Sequence, residues 1–439
     1  MNRAASLATA RQLVRDIDID AAQDERLLNL CANDNVLSNT ALHFLRSPLS
    51  FRYRVGTFDP HATPLPDKHG LLLRGFGRVD ALERAAHGAC AAMFGGVAAD
   101  LRPLSGVHAT LSIILAVTRP GDTVYSIAPA DGGHFATRAL AEQSGRTCRY
   151  LAWDARAHAL DLDGIARQFA ADPPTFILLD HSAPLLPLDT RALRRLAGPQ
   201  ALIDFDASHS MGLVAGGLFQ SPLHEGCDML HGNTHKSFPG PQKALMVFAD
   251  HALARRVQDG LSAGLVSSLH THHLIALCVT LLEMQQWGRD YAAQMVANAA
   301  VLRDALLEYG FALEDPAGAP AASHIVMATA RDADEGLRWF EALREAGIAT
   351  NVRPLFGRTT MRLGVQEATR RGFVERDMSE IAGLIHDTLR GSPAQARNAA
   401  ARIAQLRATS TGVRFSFDDA PAREQAPRPM IEERSHAVC

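Results

Sequence analysis

The sequence predicts an α/β fold: a mostly parallel sheet covered by helices, followed by a smaller α+β unit. Three observations carry that expectation. From about residue 75 to 250, short β-rich runs alternate with stretches of helical spacing. The runs are nearly continuous in apolar residues, as strands buried on both faces must be. A long helical stretch, Leu274 to Tyr309, then breaks the alternation before a second, shorter set of elements begins.

Taken in order, VDALERAAHGACAAMFG (Val79–Gly95) has helical apolar spacing and ends on glycine, a residue suited to a helix C-terminus. TVYSIAP reads as a strand and HFATRALAEQSG as the helix returning from it. TFILLD, RALRRLAG, ALIDFD and ALMVFAD continue the rhythm up to Asp250. After the long helix, HIVMATA, GLRWFEALREAG, IATNVRPL and TTMRLGVQ describe the smaller unit. Beyond Ser392 the chain turns Ala- and Arg-rich in helical spacing, and then reaches FDDAPAREQAPRPMIEERSHAVC, whose prolines and charges leave too little apolar surface to order it alone. These transitions divide the chain into an N-terminal arm (1–40), a large domain (41–275), a connecting long helix (276–310), a small C-terminal domain (311–392) and a C-terminal helix with a mobile tail (393–439).

Composition narrows the function. The chain has 439 residues, 47% hydrophobic and 21% charged, enough for roughly two to three domains with large cores. A net charge of −3 offers no polybasic attraction to nucleic acid or an anionic membrane. Cys31, Cys90, Cys148, Cys227, Cys278 and Cys439 are far apart and form no CxxC pair, so they read as reduced thiols. The charged N-terminus lacks an apolar signal core, and no apolar run reaches the ~18 residues of a membrane span. A soluble, cytoplasmic protein is expected.

One lysine stands in an unusual setting. In HGNTHKSFPGPQKALMVF (His231–Phe248), Lys236 falls at a strand-to-loop junction, away from any solvated helical face. Asp206 closes the strand ALIDFD about one βαβ excursion earlier, so both reach the sheet edge beyond which such folds bind ligands. Pyridoxal phosphate needs that pair: a lysine for its Schiff base, and an aspartate that keeps the pyridine nitrogen protonated. Ser105 and Gly106 in PLSGVHAT open a helix whose free amides suit a phosphate, although an isolated Ser-Gly is more often an ordinary cap. DGGH places His134 where an imidazole can stack on an aromatic ring, although a lone histidine is more often a structural or surface residue. Arg362 in MRLG brings a fixed fork suited to a substrate carboxylate, whereas Arg370 and Arg371, at the start of the next helix, read as surface ion pairs. The histidines of LHTHH (His270, His272, His273) have no acid or cysteine beside them and read as helix-terminal or subunit contacts; no metal is expected.

DASHSMGLVAGG followed by GNTHKSFPGPQK resembles the serine hydroxymethyltransferase group of fold-type I pyridoxal phosphate enzymes, over about Leu30 to Asp387. Within that group the chain is most similar to the L-threonine transaldolases, through DGGHFA, HGNTHK, GPQK, WGRDYAAQ and RLGVQEATRRG. The resemblance implies a seven-stranded sheet and a homodimer with shared active sites. Lys236 would carry the Schiff base and Asp206 would pair with the pyridinium nitrogen. His209 would sit near the phenolic oxygen and His134 would stack on the ring. Ser105, Gly106 and Thr234 would lie on the phosphate side, Tyr53 of YRVG would reach the phosphate from a neighbouring subunit, and Arg362 would grip the substrate carboxylate. The base expected for retro-aldol cleavage is His134 or a bound water.

The departures bear on substrate. CANDN has Asp34 where hydroxymethyltransferases carry the glutamate of SEN, Val55 replaces a second acid, and GLLLRGFGRVD lacks a tyrosine pair; each weakens folate-linked chemistry. The implied activity is cleavage of L-threonine to acetaldehyde and transfer of the glycyl unit to an aldehyde acceptor, forming a β-hydroxy-α-amino acid in specialised biosynthesis. The alternative is serine hydroxymethyltransferase or threonine aldolase activity. A catalytically silent cofactor-binding protein is disfavoured by the presence of Lys236, Asp206 and Arg362. TFDPHATPLPDKHGLLLRG (57–75) is expected to wall the acceptor pocket.

Overall fold

The computed structural model describes residues 3–54, 76–314 and 322–419. Val55, the expected pocket wall 57–75 and the expected tail from 420 onward lie outside the described residues. The strands, in chain order, are β1 Leu28–Asn29, β2 Ala98–Asp100, β3 Thr123–Ser126, β4 Thr147–Tyr150, β5 Trp153–Asp154, β6 Ala159–Leu160, β7 Phe176–Leu179, β8 Leu202–Asp206, β9 Met229–Asn233, β10 Ala244–Phe248, β11 Ile325–Ala330, β12 Ile348–Ala349, β13 Asn351–Leu355 and β14 Arg358–Gly364.

Seven of them form one sheet in the order β2-β10-β9-β8-β7-β3-β4. From β9 to β4 every neighbour is parallel, while β10 runs antiparallel to β9 and β2. That exception has a simple cause. The link 234–243 is shorter than the dozen or so residues a parallel crossover needs, so the chain turns straight back. Phe176–Leu179 and Ala244–Phe248 are buried at every position, because helices cover both faces. Leu245 and Val247 face the helices Gly77–Phe94 and Thr271–Glu308, whereas Ala244, Met246 and Phe248 face Gly106–Val117 and His251–Gly260.

The helix Thr271–Glu308 spans 38 residues and leads to a three-stranded antiparallel sheet, β11-β14-β13. The N-terminal segment joins this second unit: β1 pairs in parallel with β12, and Gly364 N–H donates to the Leu30 carbonyl at 2.8 Å. Before it, the helix Arg3–Asp24 leaves Leu13, Val14 and Ile17 exposed. Among the described residues no helix is long and apolar enough to cross a membrane.

Arg370 corrects the sequence reading. It is fully buried, paired with Glu283 at 2.7 Å and hydrogen-bonded to the Phe415 carbonyl. The short helix Gln366–Arg370 packs inward on Thr271–Glu308, and residues 413–418 strap over it. Phe417 N–H donates to Glu283 Oε1 at 3.1 Å. The Asp418 carboxylate then accepts from the backbone of Asn39 and Thr40, at the start of the helix Asn39–Leu45. A buried cation is tolerated there because the Glu283 carboxylate meets its charge and the Phe415 carbonyl takes a second N–H, although Nε has no partner among the described residues. Arg371 pairs with Glu367 at 3.3 Å.

Candidate active site

Lys236 lies in the turn between β9 and β10. Thr234 closes that turn: its hydroxyl donates to the Pro241 carbonyl at 2.6 Å, and its own carbonyl accepts from Gly240 N–H at 2.6 Å. Asn35 Nδ2 holds the Lys236 carbonyl at 2.6 Å, and Lys236 Nζ lies 2.9 Å from His209 Nε2. The turn rests on the helix Met211–Ala215, where a Cβ on Gly212 would stand 2.3 Å from the Ser237 carbonyl oxygen, so only glycine allows this approach. Burial draws the amine down to about 8, with Asp206 opposing the shift. Burial likewise keeps His209 neutral.

Asp206 ends β8, opposite His231 of β9. Its Oδ1 accepts from Ser208 N–H at 2.8 Å. His231 is fully buried between two acids, with Nδ1 2.9 Å from Asp204 and Nε2 3.7 Å from Asp206, and Nε2 is also 2.9 Å from Thr110 Oγ1. Burial alone would strip its proton, but the two carboxylates raise it to about 9. Burial would also protonate Asp206, yet the His231 charge and the Ser208 hydrogen bonds hold it below the usual carboxylate range. The outcome is a desolvated carboxylate that stays ionised.

The helix Gly106–Val117 points its N-terminus at the same edge. Ser105 Oγ caps it by accepting from His108 N–H, and Gly106 N–H donates to Asn233 Oδ1 at 2.8 Å. Ser105 and Gly106 therefore lie beside the lysine turn, while the Thr234 hydroxyl is spent inside that turn.

His134 follows β3, on a loop held by Asp180 at the end of β7. The Asp180 carboxylate accepts from His134 N–H at 3.1 Å, Ile127 N–H at 3.2 Å and Thr137 Oγ1 at 2.6 Å. The His134 ring stacks on exposed Phe135 with 4.6 Å between centroids. Burial lowers its pKa, against the pull of Asp206, and so favours the neutral ring.

Arg362, on β14, reaches across from the second sheet. Its NH1 donates to the Ser182 carbonyl at 2.5 Å, NH2 to Asn33 Oδ1 at 2.6 Å and Nε to Asn351 Oδ1 at 3.2 Å. All three partners are neutral. Asp34 lies close enough for its charge to act on both Lys236 and Arg362. Tyr53 is exposed, its hydroxyl 3.4 Å from Ser267 Oγ, and makes no contact with Lys236 among the described residues.

Sequence reasoning passed over Asn33, Ser182, Asp180 and His231. Asp180 ends the run TFILLD and Ser182 follows it, and the rule that functional residues follow strands would have reached them. His231 is a histidine within an otherwise apolar or small strand, which is itself a signal.

A buried amine held near neutrality, facing an ionised carboxylate on the adjacent strand, is what pyridoxal phosphate requires of its protein, and the nearby helix N-terminus suits its phosphate. Fold and site together define a fold-type I pyridoxal phosphate enzyme. Residues 8–385 match the family described as serine hydroxymethyltransferase, and the chain belongs to that family. It is 38% identical over 434 residues to the fluorothreonine transaldolase of Streptantibioticus cattleyicolor, covering 97% of this chain and 67% of that protein. It is 30% identical over 435 residues to the serine hydroxymethyltransferase of Methanopyrus kandleri, covering 96% and 98%. Among solved structures, the L-threonine transaldolase of Pseudomonas fluorescens in its internal aldimine state superposes with a TM-score of 0.86 at 28% identity, covering 96% of this chain and 97% of that one.

Proposed function

We propose that this protein is an L-threonine transaldolase, which cleaves L-threonine to acetaldehyde and transfers the glycyl unit to a second aldehyde. Pyridoxal 5'-phosphate is its cofactor and supplies the electron sink for breaking the Cα–Cβ bond. The observation that carries the reading is that Asp206 and Arg362, the latter from the second sheet, lie close enough for their charges to act on Lys236, with every Arg362 hydrogen bond going to a neutral oxygen that a carboxylate can supplement.

Each side chain has a distinct task. Lys236 would hold the cofactor and give it up to the incoming amino acid. Asp206, kept ionised by His231, would hold the ring proton. Arg362 would take the threonine carboxylate in a bidentate grip, fixing which bond at Cα lies in line for cleavage. Neutral His134 would accept the hydroxyl proton as acetaldehyde leaves, then return it to the alkoxide formed from the acceptor. We further place the cofactor in a domain of residues 41–275 and the carboxylate grip in one of 311–392. The free thiols of Cys31, Cys90, Cys148, Cys227 and Cys278 suit a cytoplasmic protein.

The transaldolase reading is favoured over hydroxymethyltransferase because two transaldolases resemble the chain over nearly all its length, while Asp34 stands one methylene short of glutamate. The test runs L-threonine with an aromatic aldehyde beside L-serine with tetrahydrofolate. A new β-hydroxy-α-amino acid in the first reaction is expected; product in the folate reaction alone would refute the proposal.

A further inference from the structure

A second guanidinium faces the site. Arg353 lies two residues beyond Asn351 on β13, and therefore on the same face of the sheet as Asn351, which is the register partner of Arg362. Ser182 joins the two arginines: its carbonyl accepts from Arg362 NH1 at 2.5 Å and its hydroxyl from Arg353 NH1 at 3.0 Å. The Ser182 hydroxyl in turn donates to the Gly132 carbonyl at 2.6 Å, and Phe356 N–H donates to Ala130 O at 2.7 Å. Arg353 is thus fastened beside the loop that carries His134.

Its charge is unmatched. No carboxylate pairs with Arg353 among the described residues, and it is half-buried with a neutral hydroxyl as its hydrogen-bonding partner. Its field reaches Arg362, Lys236, His134 and His209, all cations or groups that could become cations. Two desolvated guanidiniums whose side-chain hydrogen bonds go only to neutral groups repel each other and favour anions. The single carboxylate of threonine satisfies Arg362. On the same reading the cofactor phosphate would go to the helix N-terminus beside Ser105. Neither leaves an anion for Arg353.

We propose that the acceptor aldehyde carries an anionic group, a carboxylate or a phosphonate, which Arg353 holds while His134 serves the carbonyl. This rests on the transaldolase reading and adds to it the class of acceptor.

The test measures transfer from L-threonine by the holoenzyme to succinic semialdehyde and to phosphonoacetaldehyde, beside butanal as a neutral aldehyde. The wild type should prefer one charged acceptor by about tenfold or more in kcat/KM, since a charge-assisted hydrogen bond contributes at least that factor. Whichever of the two is preferred names the anion. Arg353→Met should reduce the charged-to-neutral ratio by a similar factor, and Arg353→Lys should restore part of it. Because the readout is a ratio, general damage to the variant cancels. Equal use of charged and neutral acceptors by the wild type would overturn the proposal. So would an Arg353→Met variant that loses all acceptors equally with a raised threonine KM, which would assign Arg353 to the donor carboxylate. Acetaldehyde release with no transfer to any aldehyde would instead sink the transaldolase reading itself.

Discussion

At neutral pH a solvated lysine is almost wholly protonated, but burial brings Lys236 to about 8, so part of it is free amine. The rate at which cofactor-free protein captures pyridoxal phosphate, followed by visible absorbance, should therefore rise with pH and level off above about 8. A midpoint at the ordinary lysine value near ~10.4 would contradict the buried placement. Asp206→Asn should retain cofactor yet lose turnover on the order of a hundredfold, because a neutral amide no longer favours the protonated ring; near-normal rates would shift the role to Asp204. His231 supplies a pH signature. Its folded value of about 9 lies above the unfolded ~6.5, so its stabilisation is complete below pH 6.5 and fades as pH climbs through 9. The melting-temperature gap between wild type and His231→Asn should narrow over that window. Lys236 and Asp206 were legible in the sequence because Asp206 closes the strand ALIDFD and Lys236 falls at a strand-to-loop junction about one βαβ excursion later. Asn33 was not, since its partner Arg362 is 329 residues away and no local pattern announces such a contact.

Among the elements, the alternation of apolar runs and helical spacing made the parallel sheet readable, and the shortness of the 234–243 link accounts for the reversed β10. The strap escaped notice for the opposite reason. Its residues, VRFSFD, run straight into a charged, proline-rich stretch and look like the start of a tail, yet Asp418 meets the first amides of the helix Asn39–Leu45, where a carboxylate is favoured by the unpaired N–H groups. Arg370 was misread in the same way, as one more charge at a helix start. Its burial against Glu283 makes a sharp prediction. Arg370→Leu leaves a carboxylate buried without its cation and should cost about 3–5 kcal/mol in denaturant unfolding. The double variant Glu283→Leu/Arg370→Leu should recover part of that loss. If the single variant unfolds at the wild-type midpoint, the pair does not hold the strap.

For the molecule as a whole, the exposed apolar residues of the helix Arg3–Asp24 and the exposed Tyr53 suit a homodimer in which each chain completes its neighbour's site. Mixing inactive Lys236→Ala with inactive Tyr53→Phe after verified subunit exchange should restore activity in some heterodimers; no recovery would mean that each chain builds its own site. Within one chain, the pairing of Leu28 with Ile348 sets an order of birth. The ribosome delivers Leu28 320 residues before its partner (348 − 28), a wait of roughly 16–64 s at 5–20 residues per second. During that interval the large sheet, with Lys236 and Asp206 on it, has already left the exit tunnel, while Asn33 still lacks the arginine it will hold. A nascent chain therefore acquires the parts that receive the cofactor well before those that receive an amino acid, and a ribosome that stalls within the long helix strands the protein between the two.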